Sequence, residues 1–260
     1  MLVIITHDVD WSRRGPGIDH ILKRVNRFDP KVVRKVLEEG FNPYFGIPYI
    51  MEYEERLNVR STFFFRAYYD DGSDVSEYRD VIKDLVRGGW EIAAHLNDAS
   101  SLRAVMHEKK IIESIAEVKV VGSRAHYLRI RREDIPMLAR AGFLYDSSLV
   151  YSKSGCDVRN TGFFIVDGLV ELPITFMDTY LFTYDRLSED KVIPYIENCI
   201  EKLRNAGVKL VTLLWHDCSI LMRGGRVYPK LLERLAERED IEFVRTIDAV
   251  EYILHGELRG

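Results

Sequence analysis

Glutamine is missing altogether from this chain of 260 residues, and cysteine occurs only three times, at Cys156, Cys199 and Cys218. The odd cysteine count and the lack of any CxxC spacing exclude a zinc ribbon and a disulfide-dense secreted scaffold. Reduced thiols in a cytoplasmic protein are the expectation. Lys, Arg and Glu are plentiful where Gln is absent, a bias in the direction of thermophilic proteins. No apolar run approaches the roughly 20 residues of a membrane span. The opening "LVII" is too short for a secretory signal, so neither secretion nor membrane insertion is expected. Excess positive charge is lacking too. The net charge is -4 and the pI about 6.0, which argues against a protein built to coat nucleic acid or an anionic membrane. Repeats, low-complexity stretches and Ser/Gly/Pro linkers are also absent.

What is present is alternation. Short apolar segments, "LVIIT", "VRSTFFFR", "WEIAAH", "VKVVGSR", "FLYDSS", "LVELPIT", "KLVTLLWH" and "IEFVRT", read as strands. Segments of helical period lie between them. "DPKVVRKVLEEG" is well punctuated: Asp29 can cap, Pro30 suits the first turn and Gly40 ends the helix. "SEYRDVIKDLVRGG", "REDIPMLARAG", "SEDKVIPYIENCIEKLRNAG", "YPKLLERLAERED" and "DAVEYILHG" follow the same rules. Continuous apolar strands alternating with helices imply a parallel sheet covered on its outside. At this length the pattern favours an α/β fold, a distorted (β/α) barrel of seven or eight strands. A doubly wound open sheet would expect a Gly-rich phosphate loop after the first strand, and "THDVDWSRRG" is not one. Residues 1–260 are expected to form a single domain with a long helical excursion at about 11–58. The aromatics of "NPYFGIPYIMEYEERLN" in that excursion are expected to pack rather than line a groove.

Catalytic groups of parallel barrels gather at the C-terminal ends of strands. Here those ends carry Asp8 and Asp10, His95, Arg124 and His126, Asp178, and His216 and Asp217. Residues two apart on a strand share a face, so Asp8 and Asp10 point the same way, as do Arg124 and His126. Two such carboxylates repel unless a cation or an arginine compensates them. Asp and His together are a common ligand set for zinc and related divalent ions. Taken singly, each residue has a commoner structural reading: an Asp caps a helix, a His satisfies a backbone carbonyl. Trp215 and "TFFFR" read as core, and Cys218 as a buried thiol. The joint occurrence of polar groups at successive strand ends is what points to a site.

These residues resemble the motifs of the polysaccharide deacetylase (NodB-homology) superfamily, in order and over nearly the whole chain. "THDVD" resembles the first motif, which implies Asp8 as base and Asp10 as metal ligand. "GWEIAAH" resembles the second and implies His95 as metal ligand. "GSRAHYLRI" resembles the third and gives Arg124 the task of tuning the base. "LLWHD" resembles the last and makes His216 the acid that protonates the leaving group. "YDSSLVY" and "ELPITFMD" resemble segments that shape the groove. One departure stands out. The second motif of the family has another histidine four residues on, where this chain has Ala99. His126 is the favoured replacement ligand. Asp98 or Asn97 could supply oxygen instead, or the site binds metal weakly or not at all.

The resemblance implies metal-dependent hydrolysis of a non-peptide C–N bond. Deacetylation of an N-acetylated sugar or glycan precursor comes first, and allantoinase-like or cyclic-imide hydrolysis second. Zinc is the leading metal, with nickel, cobalt and iron as alternatives. The expected partner is a small-molecule or oligosaccharide substrate, with no nucleic acid and no membrane. Asp178 and Asp217 both remain candidates to orient His216. Ala99 also supports a reading of another class, a non-catalytic carbohydrate-binding barrel using aromatics such as Tyr127, Tyr151 and Trp215.

Overall fold

A computed structural model describes residues 1–154 and 156–258. Among the described residues ten strands form one sheet: β1 (Leu2–Val9), β2 (Thr62–Phe65), β3 (Glu91–Leu96), β4 (Gly122–Ala125), β5 (Tyr145–Asp146), β6 (Phe164–Val166), β7 (Leu169–Glu171), β8 (Phe176–Met177), β9 (Leu210–Leu214) and β10 (Glu242–Val244). Their order is β6-β7-β5-β4-β3-β2-β1-β9-β8, with β10 added beside the start of β1. Every pairing is parallel except that of β6 with β7.

The sheet curls into the expected distorted barrel, and its ladder is open between its end strands β6 and β8. Isolated hydrogen bonds span that seam. The Gly162 N–H donates to Leu210 O at 2.9 Å and the Thr175 hydroxyl to Asn160 O at 2.6 Å. "LVELPIT" reads as one strand, but only its Leu169–Glu171 forms β7, because Pro173 has no N–H for the ladder; β8 begins beyond the segment, at Phe176. The β6–β7 hairpin was not anticipated. Its Asp167-Gly168 turn, with φ +49° and +84°, has the residue pair that tight hairpin turns require.

Alternation along the strands separates two cores. Val3, Ile5 and Val9, with Phe63 and Phe65, join the large cluster between sheet and helices. Ile4 and Phe64 join a second cluster inside the barrel, closed by Ala249, Val250 and Ile253 of the helix Thr246–Leu254. The outward phase explains His7. Its Nε2 meets Glu54 Oε1 at 2.9 Å and its Nδ1 meets Trp215 O at 2.7 Å, all within the outer core. Glu54 belongs to the helix Ile47–Arg56, whose Ile47 and Ile50 are buried. The aromatics of the excursion pack as expected: Tyr44 is buried, and Phe45, Tyr49 and Tyr53 lie against the outer core. The cap reading of the helix Pro30–Glu39 also holds: Asp29 accepts from the Lys31 N–H, and Gly40 is left-handed at φ +64°. A further helix, Leu102–Ala116, lies outside the sequence expectations, although Ser101 caps it in the usual way.

The cysteines require a correction. Cys156 and Cys199 form a disulfide, with Cα atoms 4.9 Å apart, and only Cys218 is free. An odd count and the lack of CxxC say nothing about two cysteines 43 residues apart, and the fold brings these two within bridging distance. Cys218 is half-buried rather than fully enclosed. No helix among the described residues is long and apolar enough to cross a membrane.

The bridge closes a long loop, so reduction should lower unfolding stability by roughly 2–4 kcal/mol, measured by guanidinium denaturation with and without reductant. The unfolded, unreduced chain should titrate as one thiol. Three reactive thiols and equal denaturation midpoints would rule the bridge out.

Candidate metal centre and active site

The inward phase of β1 carries Thr6, Asp8 and, one step beyond the strand, Asp10. Parallel register sets His95 beside Arg124 on the neighbouring strands β3 and β4. Arg124 is fully buried, so each of its donors needs a partner. It donates from Nη1 to Asp8 Oδ1 at 2.7 Å and to Thr6 Oγ1 at 3.0 Å. Nε donates to Ser147 O at 2.6 Å and Nη2 to Ser147 Oγ at 2.8 Å. The guanidinium lies 4.2 Å from the centre of the Phe64 ring. A buried cation fixed on so many sides is a rigid counter-charge for Asp8.

Asp10 has different neighbours. Its Oδ1 lies 3.2 Å from His95 Nε2 and 3.7 Å from His126 Nε2, and its Oδ2 lies 3.7 Å from His216 Nε2. Donor atoms of Asp10, His95 and His126 all fall within 4.8 Å of one another. The arrangement fits a divalent cation. His95 Nδ1 sits 3.1 Å from Arg124 O, so Nδ1 carries the proton and Nε2 offers its lone pair toward Asp10. Burial, then the neighbouring His95, push His126 down to about 4. His126 is therefore neutral at pH 7 and able to donate a lone pair. Burial alone would raise Asp10, but the His95 hydrogen bond and the charge of His216 outweigh it and hold the carboxyl well below the usual range. Two imidazoles and one carboxylate are a fitting donor set for zinc or a related ion.

The alternatives for the third ligand are otherwise engaged. Asp98 accepts from the Ser100 N–H at 2.8 Å. Asn97 accepts from Arg66 Nε at 3.1 Å and donates to Tyr68 O at 2.7 Å. Ala99 packs against the outer core.

On the opposite side of Asp10 stands His216. Its Nδ1 lies 2.7 Å from Asp178 Oδ1, and its own N–H donates to Asp178 Oδ2 at 3.1 Å. Ser219 Oγ donates to the same Oδ2 at 2.6 Å. Burial would lower the imidazole, but the Asp178 carboxylate outweighs it and pushes His216 up to about 10. Burial would likewise raise Asp178, and His216 overcomes it and holds the acid low. Of the two acids left open by the sequence, Asp178 is the one in contact. Asp217 is buried with neither oxygen hydrogen-bonded, and burial pushes it well up.

The residues expected at the rim thus come together: Asp8, Asp10, His95, Arg124, His126 and His216. Some supporting residues were missed. Arg66, at the end of the "TFFFR" strand, donates to Asp10 O at 2.9 Å. Ser147 holds Arg124, and Ser148 Oγ accepts from the Ala125 N–H at 2.8 Å. Both serines lie in the "YDSS" segment, where the signal was two small hydroxyls following a strand. Of the three aromatics considered for sugar binding, Trp215 is 0% exposed and unable to touch a ligand. Tyr127 is 66% exposed and stacks on His126 with ring centres 3.9 Å apart.

No family model and no curated protein matches the sequence. Solved structures do match the fold. One, from Mycobacterium smegmatis and described as a polysaccharide deacetylase, aligns over 99% of this chain and 91% of its own, with TM-score 0.69 and 21% identity. An allantoinase aligns over 96% and 89%, with TM-score 0.68 and 14% identity. A CE4-family pseudoenzyme from Bacillus anthracis aligns over 96% and 65%, with TM-score 0.57 and 13% identity. The chain therefore has the polysaccharide deacetylase fold. Catalytic and non-catalytic proteins both use it.

The His216–Asp178 pair has a pH signature. A raised His pKa contributes stability that is complete below the unfolded value near 6.5. That stability is lost as pH rises through about 10. Asp178→Asn should return the His216 titration toward about 6.5 in metal-free protein, read by NMR of the imidazole. An unchanged titration would show that Asp178 does not set it.

Proposed function

We propose that this chain is a metal-dependent hydrolase of a non-peptide C–N bond and a divergent member of the polysaccharide deacetylase superfamily, acting on an N-acylated amine such as an N-acetylated amino sugar. One observation carries the reading. A carboxylate matched to a buried arginine and an imidazole held protonated by a buried carboxylate flank one cluster of three metal-binding side chains.

Asp10, His95 and His126 would hold the cation, which when bound supplies Lewis acidity toward water and the acyl oxygen. Asp8 takes the proton of the attacking water as general base, and Arg124 fixes the position and charge of that carboxylate. His216 enters protonated and gives its Nε2 proton to the departing amine, a poor leaving group without it. Asp178 is a positioning residue: it orients the ring and favours its charged form. The disulfide removes the thiol argument for a cytoplasmic location, so the substrate is defined by its chemistry rather than by its compartment.

A non-catalytic carbohydrate-binding barrel is favoured by Ala99 and by the pseudoenzyme that shares the fold. The buried state of Trp215 weighs against it. The allantoinase neighbour keeps a cyclic amide as the second substrate to assay.

Purified protein should contain about one zinc, nickel, cobalt or iron per chain, by elemental analysis. His126→Ala should weaken metal binding by more than roughly tenfold, whereas His107→Ala should leave it unchanged. Asp8→Asn and His216→Ala should each lower turnover of an N-acetyl sugar or a cyclic amide by roughly 100-fold or more with metal retained. A protein that takes up no metal and cleaves neither substrate is a binding barrel instead.

A further inference from the structure

A second pair of acids lies behind the sheet. The parallel register of β5 and β7 sets Asp146 opposite Glu171, and both are 0% exposed. Their neighbours Tyr145 and Val170 point into the barrel. By alternation the two carboxyls take the outward face, which Leu169 shares with the cluster between sheet and helices. They lie across the sheet from Arg124, whose side chain is on the inward face with Asp8.

Each acid has fixed donors. Ser123 Oγ donates to Asp146 Oδ1 at 2.7 Å, and the Ser148 N–H donates to Asp146 Oδ2 at 3.0 Å. The Leu149 N–H donates to Glu171 Oε1 at 2.9 Å. Glu171 Oε2 is buried and meets no fixed donor among the described residues. The remaining side-chain partner of Glu171 is Asp146. Two ionised carboxylates cannot hydrogen-bond to each other. One proton between them supplies the missing donor and removes one of two buried charges. Burial pushes both acids up, and the charge of Asp146 pushes Glu171 farther. The negative charge that stays on the pair is opposed by Arg124 across the sheet.

The pair grips two successive amides, and the residue just before them is Ser147. Its carbonyl and hydroxyl both accept from Arg124, at 2.6 and 2.8 Å. That hydroxyl donates its own proton to Leu172 O at 2.8 Å, so only its lone pairs face the guanidinium. Leu172 directly follows Glu171. A chain of hydrogen bonds thus runs from the acids through residues 147–149 to Arg124 and on to Asp8.

We propose that Asp146 and Glu171 share one proton and act as positioning residues, fixing residues 147–149 so that Arg124 holds the general base in place. The consequence for turnover rests on the hydrolase reading; the hold on Arg124 does not.

Two variants of Glu171 test it. Glu171→Gln reproduces the protonated acid: its amide oxygen can accept from the Leu149 N–H while its amide N–H donates to Asp146. Glu171→Met removes both bonds. With metal loaded and N-acetylglucosamine or a cyclic amide as substrate, Glu171→Met should lower kcat roughly tenfold or more with KM unchanged. Glu171→Gln should restore the parent kcat. The Arg124 Nε–H, buried against Ser147 O, should exchange with solvent roughly tenfold or more faster in Glu171→Met, and at the parent rate in Glu171→Gln, by NMR. If Glu171→Met does not fold, Glu171→Asp replaces it, since the shorter side chain draws the carboxyl away from the Leu149 N–H. Infrared spectra at neutral pH should show one protonated-carboxyl band in the parent that Glu171→Gln lacks. No lost band overturns the shared proton. Equal Arg124 exchange in all variants overturns the positioning role, as does parent kcat in Glu171→Met. If the parent cleaves no amide, the hydrolase reading falls, and the exchange and infrared measurements still decide the proposal.

Discussion

Two carboxylates share one face of β1, and the rim gives them different principal partners, with His95 Nε2 between them at 3.6 Å from Asp8 Oδ2 and 3.2 Å from Asp10 Oδ1. Asp8 receives a permanent positive charge from Arg124, a buried side chain whose nitrogens meet Asp8, Thr6 and Ser147. Asp10 receives imidazoles from three other strand ends. The distinction matters because the two acids are asked to do different things. A carboxylate locked to arginine can accept a proton without drifting toward a cation. One that faces the lone-pair nitrogens of His95 and His126 can join a metal site. Two equivalent acids at this spacing would raise one another's pKa and share a single role.

The same logic sets the opposed charge states of the histidines. His126, where burial and then the neighbouring His95 outweigh the nearby Asp10, is pushed down to about 4. His216, hydrogen-bonded to Asp178, is pushed up to about 10. The two residues are chemically identical, and their neighbours make one a lone-pair donor and the other a proton donor. Environments that push like groups apart in this way are how acid and base roles are assigned in a single site.

Much of this was legible because strand ends and period-two alternation are local properties. The facing of Asp8, Asp10, Arg124 and His126 follows from counting along β1 and β4 and one residue past each. The choice between Asp178 and Asp217 could not be read that way. Both lie just past a strand, and only the meeting of the segment after β8 with that after β9 decides which carboxylate reaches His216. The disulfide was illegible for the same reason, since it depends on a long-range approach of Cys156 to the helix Glu189–Asn205. The β6–β7 hairpin was a different failure. Its Asp-Gly turn is a local signal, but the strands on either side, three residues each, are too short to show a pattern.

His126 takes up its position at a cost. The two residues after it, Tyr127 and Leu128, both have left-handed backbones at φ +58° and +56°, and neither is glycine. Each such residue costs of order 1–3 kcal/mol and persists only where its surroundings hold it. Here Tyr127 stacks on His126, and Arg129 lies 4.7 Å from the centre of the Tyr127 ring on the solvent side. The chain turns sharply just after the histidine, so the imidazole stays at the rim with Asp10 and His95 while the backbone leaves the barrel. A histidine four residues after His95 would need no such turn. Where that position is Ala99, the strained turn after β4 brings in a nitrogen from the neighbouring strand instead. Ala99 and the strained turn thus follow adjacent strands, β3 and β4, beside the same three-residue cluster of Asp10, His95 and His126.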